Sequence, residues 1–343
     1  MDCKIFMAAI PLLAVAIVAL IYLTAAWRFR RLRGRLYQEL KNRNTGNALK
    51  EVTDIEEGVW ERFLPRKLLE ILGVGEWKLL PEKLLEEQVE LHVGIININL
   101  SGFQAGIHSM EAKEAYRLIN RVLSCCIPSI HEAGGSITRF QDAGVTALFT
   151  DDVEEGLNAA VSICEKLRKL PDRDRMYGQT AIGMCFGEVM FGVVGHDERM
   201  SVLTLSSHTG LGEFLQQMAP KYYARILVAE SYLEHIPNFQ KKYNSRFLGY
   251  IRMKSTGAVE KIYDIFDGDD ASVRNQKRKT RMVFERGTTL FLEGAYTEAR
   301  RHFIEVLKTD RYDRAAMEYV LLCDKYAGEI ENSGKDICIE EYK

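Results

Sequence analysis

The chain has 343 residues, enough for one or two domains plus extensions and for a core that needs no disulfides. Its 46 basic residues against 48 acidic ones give a formal net charge of -2, which excludes a surface built to neutralise many phosphates and so excludes nucleic acid as a general partner. Seven cysteines, an odd count with no Cys-x-x-Cys or cysteine/histidine spacing, favour free, mostly buried thiols in a reducing compartment over a disulfide frame or a zinc site.

Residues 5–27 carry no charge, a run of the length needed to cross a bilayer as a helix, and Pro11 bends such a helix without excluding it. Arg28, Arg30, Arg31, Arg33 and Arg35 follow at once, against a single Lys4 before. The positive-inside rule therefore predicts a single-pass anchor in the cell membrane, residues 1–27, with everything after Arg28 cytoplasmic. The competing reading is a cleaved signal peptide, for which Thr24-Ala25-Ala26 offers small residues. Residues 28–61 read as a basic juxtamembrane segment and linker, and residues 63–72 as a short helix after it.

From Glu90 to Asp267 strand-like runs alternate with amphipathic helices, which predicts an α+β domain with an antiparallel sheet. The first run ends in Asn97, Asn99 and the turn Ser101-Gly102-Phe103. Leu118, Ile119, Val122, Cys126, Ile127 and Ile130 share one helical face, and Gly134-Gly135 stops that helix. Residues 136–140 and 144–149 read as a hairpin around Gln141 to Ala143, and Thr150-Asp151-Asp152 as a helix N-terminus. Residues 180–186 and 189–194 lie too close for a crossover helix, so an antiparallel pair is expected.

Residues 268–281, with the basic cluster Arg274 to Arg281, read as a linker; a contact with anionic lipid or an acidic partner is the alternative. From 282 to 330, Gly287, Leu290, Gly294, Tyr296, Ala299 and Phe303 resemble the packing positions of one tetratricopeptide-type helical hairpin. One such unit makes no solenoid, so it is expected to pack on the main domain or cap it. Residues 331–343 are left as a tail.

Taken in order, the turn Ser101-Gly102-Phe103, the hairpin Gly134 to Phe149, the runs Gly187 to Gly195 with Glu198-Arg199-Met200, and the late segment Arg252 to Ile265 resemble a class III adenylate/guanylate cyclase catalytic domain over residues 62–267. The flanks look like those of bacterial membrane-anchored members. The resemblance implies a ferredoxin-like sheet with flanking helices, head-to-tail dimers, and two aspartates that hold two metal ions at the reacting 3′-hydroxyl and α-phosphate.

The positions that carry chemistry in the family have changed here. Asn99 stands for the first metal aspartate and Ala143 for the second, with Asp142 one residue early and expected to face the other side unless a bulge corrects it. Gly210 and Phe214 replace an asparagine and an arginine that stabilise the transition state, and Leu203 stands where the family selects the purine. Lys254 matches a phosphate-contacting lysine, and Arg139 lies at the place of a base-contacting lysine, so these two are the nucleotide-binding candidates. For each the plain reading is a solvated surface residue. Heterodimerisation would not restore activity, because the chain lacks both halves of the catalytic set.

The resemblance thus implies a membrane-anchored cyclase homologue without turnover, acting as a homodimeric regulatory or nucleotide-sensing module with a purine nucleotide or a signalling protein as partner. No cofactor is expected; magnesium or manganese enters only if the first rival holds, an active cyclase making cyclic AMP or GMP through Asp142. The second rival is an adaptor working through the C-terminal helices.

Overall fold

The computed structural model describes Glu70 and residues 88–101, 111–141, 144–169, 180–196, 199–254, 257–328 and 339–342. The predicted membrane span, the juxtamembrane segment, nearly all of the 63–72 helix, and the hairpin tip residues Asp142 and Ala143 lie outside these. Among the described residues no helix is long and apolar enough to cross a membrane. The described residues belong to one compact unit, Arg66–Lys343.

The sheet grows around β1 (Gln88–Leu100), whose Val93 to Ile98 are buried. Its neighbours are β3 (Gly144–Phe149) and β4 (Thr180–His196), both antiparallel to it. β2 (Ser136–Gln141) pairs with β3 as the expected hairpin. The two runs expected as an antiparallel pair over 180–194 are instead one strand, β4, which matches β1 residue for residue from Gly192 opposite Gln88 to Thr180 opposite Leu100. A partner along that whole length favours extension over a turn at Gly187, and β4's own hairpin partner is β5 (Arg199–Leu205).

The sheet runs β2-β3-β1-β4-β6-β8-β7-β9, with β5 beside the far end of β4. The new members are β6 (Ile226–Ala229), β7 (Ser245–Met253), β8 (Val259–Ile265) and β9 (Glu340–Tyr342). It is mixed rather than antiparallel: β6 runs parallel to β4, and β9 parallel to β7. A helical crossover between β5 and β6 supplies the length that a parallel return needs.

Alternation along β1 sorts the helices onto two faces. Ile96, Ile98 and Leu100 join the core that includes Leu118, Val122 and Ile130 of α1 (Ala112–Glu132) and Ile163 of α2 (Val153–Arg168). Asp152 caps α2 by accepting from Glu155 N at 3.2 Å, as its sequence position predicts. On the other face lies α3 (Ser207–Met218). It sits so close that a methyl group on Gly183 would run into the Gly212 carbonyl, and one on Gly187 into the His208 ring. These glycines are therefore the floor on which α3 rests.

Residues 271–281 are no linker: they open α4 (Ala271–Leu292). Lys277, on this supposedly solvated stretch, is buried with its ammonium 2.8 Å from Asp264 and 2.6 Å from Asp269. Arg246 of β7, fully buried, meets both Asp264 and Asp313. Three helices follow β8 where a pair was expected, because Thr309 ends α5 (Tyr296–Thr309) and Asp313 caps α6 (Arg314–Gly328), accepting from Ala316 N at 3.1 Å. Phe284, Phe291, Phe303 and Tyr319 form the aromatic core between them, and Gly287 lets Phe303 approach to where a β-carbon would stand 3.0 Å away.

Candidate functional site

Asn99 of β1 lies on the side of the sheet that α3, which carries Gly210 and Phe214, covers. Asn97 and Asn99 point there from β1, two residues apart on one strand face. Asn97 is packing: its amide donates to Thr146 Oγ1 at 3.1 Å, and its oxygen is wedged beneath Gly212, where any side chain on that glycine would collide with it. That oxygen is buried with no hydrogen-bond partner.

Asn99 is half-buried, and its side-chain oxygen accepts from the next backbone amide, Leu100 N, at 2.7 Å. The amide group lies against Gly144 of the hairpin. A pair of divalent cations needs anionic oxygens. This position offers one neutral oxygen, already engaged, and Ala143 has no ligand atom at all. Among the described residues, Asn99 brings no anionic oxygen to such a centre. Asp142 lies outside the described residues. Among the described residues, one group of three side chains has metal-ligand character, the exposed Glu90, His92 and Glu188. It is seven or more residues along β1 from Asn99, about 23 Å at 3.3 Å per strand residue.

The two cationic candidates are both engaged with carboxylates. Arg139, about half exposed on β2, stands 3.4 Å from Glu213 of α3 and also touches Gln141. Lys254, at the end of β7, stands 3.0 Å from Glu341 of β9. Leu203 is exposed on β5. No described contact joins Arg139 directly to Lys254.

Beside Lys254 lies β9, whose Glu341 pairs with it and whose Tyr342 reaches α3. Tyr342 tilts against the Phe214 ring at 5.1 Å between centroids, and its hydroxyl occupies the space that any side chain at position 210 would need. Burial, with the negative charge of Glu213 next in effect, pushes the Tyr342 hydroxyl above its ordinary range, so it stays neutral there. Cys185, below α3, gives its thiol hydrogen to the His208 carbonyl at 3.0 Å, and burial pushes that thiol far up as well. The five cysteines among the described residues are all buried and unpaired, as the sequence predicts.

Sequence reasoning missed the tail as part of the site, and it missed the buried ionic cluster. The first had a weak signal, the β-prone run Ile337-Cys338-Ile339 just ahead of Tyr342. The second had none, because Arg246, Lys277 and Asp313 are scattered in sequence and look like ordinary surface charges.

Over 284 residues, 80% of the chain, it is 23% identical to the "adenylate cyclase, terminal-differentiation specific" of Dictyostelium discoideum, of which it spans 13%. Over 235 residues, 64% of the chain, it is 24% identical to an adenylate cyclase of Anabaena cylindrica, of which it spans 44%. The chain thus spans less than half the length of both relatives. A bacterial light-regulated adenylyl cyclase has the same fold, with a TM-score of 0.54 and 17% identity, covering 68% of this chain and 70% of that one. No family model matches. Both of these relatives are adenylate cyclases, and the α+β sheet with its flanking helices matches the fold of the light-regulated cyclase.

Proposed function

We propose that this chain is a cyclase homologue that makes no cyclic nucleotide and serves, anchored to the membrane by residues 5–27, as a homodimeric regulatory or nucleotide-sensing module in intracellular signalling. The observation that carries the reading is Asn99. Where the resemblance calls for a metal carboxylate, the strand presents a neutral amide whose oxygen already accepts from the Leu100 backbone amide.

The loss is large on an energetic scale. Groups that stabilise transition-state charge contribute on the order of 3–4 kcal/mol each, and every 1.36 kcal/mol is tenfold in rate. With both metal carboxylates and the arginine replaced, turnover falls below any physiological use.

Dimerisation draws support from the β4/β5 arm, where Met190, Val194, Leu203 and Leu205 are exposed on two paired strands. The anchor concentrates copies in two dimensions and favours the same association.

The test is a cyclase assay on the full-length chain in detergent or nanodiscs, with ATP and GTP and with magnesium or manganese. No cyclic product above a chain-free control is expected. Metal-dependent product from the native chain would overturn the reading and favour the active-cyclase alternative.

A further inference from the structure

The C-terminal strand is laid across the degenerate site by three independent kinds of contact. It adds to the edge of β7 in parallel, with Ile339 N donating to Tyr250 O and Lys254 N donating to Tyr342 O, each at 2.7 Å. Its aromatic end fills the space left by Gly210 and rests on Phe214. Its acidic residue, Glu341, takes up the ammonium of Lys254.

The combination is specific to these residues. An asparagine at 210 would collide with the Tyr342 hydroxyl, and an arginine at 214 would place a guanidinium where an aromatic face now packs. The small residue at 210 and the apolar one at 214 are what make room for the tyrosine. Glu341 is half exposed and its ion pair is weak on its own. Among the described residues the strand has a single partner strand, β7, and a few backbone bonds. A contact of this kind, made by one short edge strand, holds a site closed yet can be released by a competitor of moderate affinity.

We propose that residues 339–342 are an intrachain occupant of this site, a latch that keeps polyphosphate anions away from Lys254 until it is displaced. Ligand and latch compete for one cation: Glu341 supplies the negative charge that a phosphate would supply, and Tyr342 fills the volume beside it. This deepens the regulatory reading above and rests on it, since a latch over a working catalytic centre would have a different meaning.

The experiment uses the full-length chain in nanodiscs, with ATP and inorganic triphosphate as probes. Three variants are compared with the native chain: a truncation after Ile339, which keeps that buried residue; the full-length double variant Glu341→Gln/Tyr342→Ala, which guards against misfolding of the truncation; and the truncation carrying Lys254→Glu. The expected result is at least tenfold tighter ATP binding in the first two, lost in the third, together with faster hydrogen exchange at the Lys254 amide once the tail is gone. Tighter binding of triphosphate as well assigns the gain to phosphate alone; tightening of ATP only assigns it to the nucleotide; both support the latch. Equal ATP affinity with and without the tail, no binding in either state, or rapid exchange at Lys254 already in the intact chain would each overturn it. None of these bears on whether the native chain makes cyclic product, which the cyclase assay decides separately.

Discussion

The guanidinium of Arg246, on β7, donates to the carboxylate of Asp313, the residue that caps α6, and neither side chain reaches solvent. Asp264 of β8 accepts from the same guanidinium at 3.0 Å, and the Lys277 ammonium of α4 stands 2.8 Å from the same carboxylate oxygen. Sheet and C-terminal helices are thereby joined through a buried ionic cluster. Removing one partner leaves the others buried without compensation, which costs about 3–5 kcal/mol. Arg246→Met should therefore lower the denaturation midpoint sharply. An unchanged midpoint in urea would show that the helices are not fastened through this cluster.

The same cluster predicts a pH dependence with two opposite limbs. Burial pushes Asp269 up from its ordinary 3.8, only partly offset by Lys277. Burial also pushes Asp313 up, but the Arg246 guanidinium outweighs it and the net shift is downward from 3.8. A lowered carboxylate contributes stability that is present above pH 3.8 and lost as pH falls through the folded value; a raised one makes stability fall as pH rises from 3.8 towards its folded value. Asp269→Asn should abolish the second limb and leave the first. Thermal melts between pH 3 and 7 would show it, and a variant that still loses stability as pH rises above 4 counts against this assignment.

Gly183 tests how closely α3 rests on the sheet. A methyl there meets the Gly212 carbonyl and the Gln216 amide, both backbone atoms of α3, so the helix itself must shift. Overpacking of this kind costs about 1–3 kcal/mol. Gly328→Ala is the control, because a β-carbon there meets nothing within 4 Å. Equal stability of the two variants would mean that α3 can lift at no cost.

Where the sequence was legible, a local pattern and the tertiary demand coincided. The face Leu118-Val122-Cys126-Ile130 and the Asp152 cap are each written in a few adjacent residues, and each is found as read. Gly187 misled because glycine marks both turns and close approaches. Only the position of His208 above it tells which, and that contact spans more than twenty residues. The basic run at Arg274 misled in another way. A lysine looks solvated until its two aspartate partners, Asp264 and Asp269, are placed beside it. At the site, the substitutions Asn99, Gly210 and Phe214 were visible from motif spacing, but what fills the space they leave is Tyr342, far away at the end of the chain.

That last fact changes what a reconstruction of the enzyme requires. Restoring the family's residues calls for Asn99→Asp, Ala143→Asp, Gly210→Asn and Phe214→Arg together, since one carboxylate leaves a two-metal site incomplete and metals without the arginine leave phosphate charge under-stabilised. With the tail in place, the new asparagine collides with the Tyr342 hydroxyl and the new arginine faces its ring, so the quadruple variant should be inactive and its tail displaced or strained. The same four substitutions in a chain ending at Ile339 should give a trace of metal-dependent cyclic product, and each single reversion should give none, because the effects are coupled rather than additive. Activity assays on the two quadruple variants, paired with hydrogen exchange at Lys254, separate the tail's contribution from that of the catalytic residues. If the quadruple variant with an intact tail is as active as the truncated one, Tyr342 does not obstruct the site. If instead the native chain makes cyclic product and Asp142→Ala abolishes it, the missing carboxylate was relocated rather than lost, and Asp142 is the metal ligand.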